Sequence, residues 1–151
     1  MNSSSSVAVK YGVFTTIALI AYFLIIKLLG QHTNPWFRMV NGLFMAYGIY
    51  VAIKRYKSIS GGGFNYTNGF KVGLITGFLA TFLFALFMGV YMFHIDVDFM
   101  NTLLKDWFHN SDYGGGILIF VILVEGLASS TILTLTFMQV LKNSTKVVQK
   151  Q

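Results

Sequence analysis

Four apolar runs, each long enough to cross a lipid bilayer, leave this chain few choices of fold. They cover about residues 11–29, 36–53, 69–93 and 116–141. At helical rise, each can traverse a hydrocarbon core of roughly 30 Å. The composition agrees: 55% of residues are hydrophobic and 11% charged, where a soluble domain carries about a quarter charged. The second run is the most polar, with Arg38 and Asn41 near its start; Arg38 can snorkel to the interface from there. The first run is too long for the apolar region of a cleaved leader, and no small-x-small site follows it, so a retained span is expected. The expected fold is therefore all-α, an integral membrane protein with four transmembrane helices in one domain.

Basic residues orient the spans. With both termini inside, Lys10, Lys54, Arg55, Lys57, Lys71, Lys142, Lys146 and Lys150 are cytoplasmic, and only Lys27, Arg38 and Lys105 lie outside. Lysine and arginine favour cytoplasmic loops, so this orientation is expected. Asp96, Asp98, Asp106 and Asp112 then fall together on the outer side.

The outer segment has a pattern of its own. Ile95, Phe99, Met100, Leu103, Leu104, Trp107 and Phe108 recur at helical spacing, with Asp98, Asn101, Thr102, Lys105 and His109 on the other face. This spacing predicts an amphipathic helix over about 98–109, with Asp98 as its N-cap. Such a helix would lie in the outer membrane interface or pack over the mouth of the bundle.

Small residues mark where helices meet. The third run carries Gly69, Gly73, Gly77, Thr81, Ala85 and Gly89 at every fourth position. In lipid, close backbone approach through small side chains does much of the work of helix association. The stripe therefore predicts an interface, either within the chain or between copies. Gly42, Ala46, Gly48 and Ala52 of the second run offer a complement, and Gly126 and Ser130 repeat the small-xxx-small spacing in the fourth.

Glu125 is the one acidic residue within any apolar run. It lies about 13 Å from the outer end at helical rise. A charge there costs about 2.5–3.5 kcal/mol or more, so Glu125 should face the bundle, pair, or stay protonated and bond across helices to a partner such as Asn41, Tyr47 or Lys27. With Ser129 one turn away, it is also the candidate for binding a proton or a cation.

Other chemistry finds little footing. The chain has no cysteine, which excludes disulfides, thiol catalysis and thiolate metal sites. His94, Asp96, Asp98, His109 and Asp112 match no metal-ligand spacing, and capping and solvation account for them. Gly61-Gly62-Gly63 has neither the Gly-Lys-Ser/Thr nor the strand of a phosphate loop. No nucleophilic triad or carboxylate pair is present, so no enzyme, metal or cofactor is expected. The net charge of +6 belongs to topology rather than to nucleic acid. Lys142, Lys146 and Lys150 share one face if the tail is helical, suited to anionic lipid headgroups at about 1 kcal/mol each.

The stretch Tyr56 to Gly73, YKSISGGGFNYTNGFKVG, resembles the hallmark of a family of small Bacteroidetes membrane proteins known as domain of unknown function 4199. There a basic, glycine-containing turn leads into a Phe/Gly pattern that opens the third of four spans; Phe70, Lys71 and Gly73 fit it. The resemblance implies a four-helix inner-membrane protein and brings no activity or site residues with it. The expected function is that of a non-catalytic accessory or assembly subunit, or a homo-oligomer packing through its third span. Its partners would be lipids and other membrane subunits or itself. The rivals are a small proton- or cation-coupled transporter or channel using Glu125, and a lipid- or envelope-interacting module.

Overall fold

The computed structural model describes residues 4–31, 35–108 and 114–141, and their regular structure is helical throughout. Helix α1 covers Ser4–Leu28 and α2 covers Pro35–Ser60. A 3-10 turn at Gly61–Gly63 leads to α3, Tyr66–Val90, which runs on through a π-helical turn at Tyr91–Ile95. The short α4 covers Val97–Phe108, and α5 covers Gly116–Leu141.

Local sequence sets the ends. Gly30, at φ 69°, closes α1: its N–H donates to the Lys27 carbonyl at 2.9 Å and Gln31 N–H to Ile26 at 3.1 Å. This is the paired closure that a left-handed glycine permits. Asn65 caps α3 by accepting the Thr67 N–H at 2.9 Å.

The four long helices alternate in direction. Thr15 of α1 meets Gly48 of α2, and the Tyr22 hydroxyl donates to the Phe37 carbonyl at 3.0 Å, so α2 returns along α1. Helix α3 runs parallel to α1: the Thr76 hydroxyl donates to the Ala8 carbonyl at 3.3 Å, and Phe23 meets Tyr91 edge-on at 5.0 Å near the other end. The central pair α2 and α3 each contact both α1 and α5. Buried side chains form three successive layers, centred on Val7, Ala52 and Val72, on Leu19, Ile49 and Met138, and on Phe23, Tyr91 and Leu118.

The small-residue stripe of α3 faces α5, and this corrects two expectations. The register runs Gly69 to Met138, Gly73 to Thr134, Gly77 to Ser130 and Thr81 to Gly126. A methyl group built on Gly77 would lie 2.5 Å from the Ser130 Cβ, and one on Gly73 would lie 2.5 Å from the Thr134 Cγ2. The complement is therefore α5 rather than α2, which reaches the same groove only through Ile49 and Ile53. Gly48 instead receives Thr15, Ala52 packs with Val7 and Val72, and Gly42 is exposed. Nor is the stripe open to another copy, because Gly69, Gly73, Gly77, Thr81 and Ala85 are all buried within this chain. Gly89 is looser, with only Ile119 at 3.6 Å from a built methyl.

Among the described residues, three helices are long and apolar enough to cross a membrane: Ser4–Leu28, Tyr66–Ile95 and Gly116–Leu141. Helix α2 matches them in length, but Arg38, Asn41, Lys54, Arg55 and Lys57 make it more polar. Large apolar side chains such as Phe14, Leu43, Phe82 and Phe120 stand exposed around the bundle. A water-facing surface rarely carries so many.

Gly77→Leu would drive its side chain into Ser130. The expected result is a loss of about 2 kcal/mol or more in detergent stability, because an overpacked close contact must move backbone. The exposed neighbour change Phe78→Leu should stay within about 0.5 kcal/mol. Equal losses in unfolding assays of the two variants would refute the assignment of the groove.

Candidate functional site

A cleft of about 110 Å³ opens between α2, α3 and α5, with Leu19 of α1 also in its lining. Asn41, Gly42 and Met45 line it from α2, Thr81 and Phe84 from α3, and Glu125, Gly126 and Ser129 from α5. It exists because side chains are smallest here. Gly126 leaves room for the Thr81 side chain that crosses from α3, and Gly42 presents only backbone from α2.

Glu125 borders this cleft from α5. Its side chain lies on the exposed flank of α5, at the mouth of the cleft, with Ser129 half-buried one turn further along. Of the partners expected for it, Asn41 shares the cleft, Tyr47 is 66% exposed, and Lys27 is engaged elsewhere.

Thr81 and Asn41 are unusual within the bundle. Most helical hydroxyls here fold back onto the carbonyl four residues earlier: Thr15 to Tyr11, Thr16 to Gly12, Ser130 to Gly126, Thr131 to Leu127 and Thr136 to Ile132. Thr81 is 2% exposed, yet its Oγ1 takes no hydrogen-bond partner among the described residues. The same holds for the buried Asn41 Oδ1 and for Thr134 Oγ1, which packs beside Gly73. A buried polar atom left unsatisfied costs about 1–3 kcal/mol, so two at one cleft require an explanation.

A second polar cluster lies at the end of the bundle near α4. The Asp96 Oδ2 accepts the Tyr91 hydroxyl at 2.9 Å and lies 3.5 Å from Lys27 Nζ, which sits 4.4 Å above the Tyr91 ring. Its Oδ1 accepts the Phe99 N–H at 3.0 Å. The N-cap of α4 is therefore Asp96 and not Asp98, which is exposed in the first turn. The π turn explains the shift: the Asp96 N–H reaches the Tyr91 carbonyl at 2.9 Å, drawing the carboxylate back over Tyr91. The bond from Phe99, with help from Tyr91 and Lys27, holds the Asp96 carboxyl below its ordinary 3.8 against the opposing effect of burial. Its position just ahead of the amphipathic stretch was the available sequence signal. Helix α4 buries Phe99 and Leu104 in the outermost core layer and exposes Asp98, Thr102, Lys105 and Asp106.

His109, Asp112, Lys142, Lys146 and Lys150 lie outside the described residues. Lys57 donates to the Leu141 carbonyl at 2.6 Å, satisfying a carbonyl at the end of α5.

Bundle and cleft together define an all-α protein of membrane character, with polar groups gathered at one cleft. A family model described as protein of unknown function (DUF4199) matches residues 10–112, and the chain belongs to that family. The match takes in α1 to α4, hence Asn41 and Thr81, while Glu125 and Ser129 lie beyond it. No curated protein and no solved structure matches the chain.

Asp96→Ala removes both the cap and the Tyr91 acceptor. Amide exchange in α4 should rise about fivefold or more, the equivalent of roughly 1 kcal/mol for a lost N-cap. Because the folded carboxyl is held low, its contribution is present above its ordinary 3.8 and lost as pH falls through its folded value. Exchange in α4 that is unchanged in Asp96→Ala would remove Asp96 from this role.

Proposed function

We propose that this is a four-span, non-enzymatic protein of the bacterial cytoplasmic membrane, with both ends of the chain inside, acting as an assembly subunit. Two features of the bundle support the span count. Helices α1 and α3 are parallel, and both are apolar enough to cross. If both cross in the same direction, the segment between them must return across the membrane, and α2 lies along them over their length. Orientation rests on charge: Lys10, Lys54, Arg55 and Lys71 gather at the end where α1 and α3 begin, as cytoplasmic loops prefer. The end bearing α4 then meets the outer interface.

The observation that carries the assembly reading is the poor cover of α5. It buries four residues, Leu118, Ser130, Thr134 and Met138, where α3 buries nine. Its outward flank presents Glu125 and Ala128 beside the exposed Gly42 of α2. Small residues next to a polar group are what a partner membrane helix can approach closely. The partner is another subunit or a second copy, seated on the α2–α5 flank and not on the third span.

A reporter fused after Gln151 should read cytoplasm, and one inserted at Gly115 the outer compartment; the reverse pattern refutes the orientation. The native chain lacks cysteine, so a single Ala128→Cys should cross-link in intact membranes to a homodimer or to a defined larger adduct. Phe14→Cys, on α1 across the bundle, should stay monomeric. Equal cross-linking of the two, or none at Ala128→Cys, would rule out this flank.

A further inference from the structure

We infer that the cleft between α2, α3 and α5 is a binding site for a small monovalent cation, sodium, held by oxygen atoms of Asn41, Thr81, Glu125 and Ser129. This stands apart from the assembly reading, because every donor belongs to one chain.

The donors are what select the ligand. The polar ones comprise an amide oxygen, two hydroxyls and one carboxylate, hard oxygens that suit an alkali or alkaline-earth ion; no imidazole lines the cleft, and its one sulfur is the Met45 thioether. Two of them, Thr81 Oγ1 and Asn41 Oδ1, are buried without a partner among the described residues. A cation coordinated there would satisfy both at once. Glu125 is the one carboxylate in the lining, so a divalent ion would leave more uncompensated charge than a monovalent one in a low-dielectric setting. A volume of about 110 Å³ leaves room for a partly hydrated ion. Binding would tie α2 to the α3–α5 pair beside Gly42, where a built methyl would meet nothing within 4 Å.

The test uses the full chain dispersed as a monomer in detergent, with choline replaced by sodium at constant ionic strength. The melting temperature should rise with sodium and, above half-saturation, climb by a constant increment for each tenfold increase. Potassium and magnesium should give a smaller increment. Thr81→Val keeps the side-chain shape and Glu125→Gln the hydrogen bonding, and each should fold in choline yet lose most of the sodium increment. Equilibrium binding of radioactive sodium should give one site per chain, weakened at least tenfold in Thr81→Val. A wild-type melting temperature indifferent to sodium, or one that follows pH alone, overturns the inference, as does an undiminished increment in both variants. The cross-linking at Ala128→Cys is a separate readout, so either reading can fail without the other.

Discussion

Helices α3 and α5 approach closely because each gives up side-chain volume where the other spends it. From Gly69 to Gly77, α3 is bare and α5 fills the groove with Met138, Thr134 and Ser130. At the next step the roles reverse, and Thr81 crosses to the bare backbone of Gly126. In lipid, dispersion and backbone proximity must replace the hydrophobic effect between helices, and a groove of this length maximises both. The rest of the bundle follows from this pairing. With one face of α5 pressed into the groove, the opposite face is left uncovered, and α1 packs on the far side of α2 and α3.

The reversal at Thr81 also creates the cleft. A hydroxyl that would fold back onto its own helix elsewhere in the bundle is here buried without a partner, opposite a glycine. Glu125 then lies at the rim, one residue before Gly126, because helical rotation swings the preceding residue away from the contact line. Tight packing and an open polar pocket are thus products of one glycine.

The other end of the bundle is organised by hydrogen bonding. The π turn at Tyr91–Ile95 sets Asp96 over Tyr91 and Lys27 and lets one carboxylate begin α4, join the end of α1 and hold the end of α3. Phe99 and Leu104 then cover the outermost core layer, beside Phe23 and Leu118. Extra-residue turns of this kind often occur at functional sites; here the turn positions a cap.

Helix content was legible in the sequence because length and apolarity are properties of single segments. The fourth run, about 116–141, matches α5 residue for residue, and the stripe from Gly69 to Ala85 was visible as a packing face because a period of four needs no knowledge of neighbours. Which helix fills that stripe was not legible. Gly42, Gly48 and Ala52 offered as good a complement as Gly126 and Ser130, and only three-dimensional register distinguishes a small residue facing a groove from one facing Thr15 or open space. The cap was expected at Asp98 and lies at Asp96, because the π turn that adds one residue to the helical count is not written in the apolar spacing. Sequence alone therefore determined the long apolar helices and the one acid within the apolar runs. Tertiary structure decided which surfaces they share, because unpaired oxygens at Thr81 and Asn41 are defined only once neighbouring helices have closed around them.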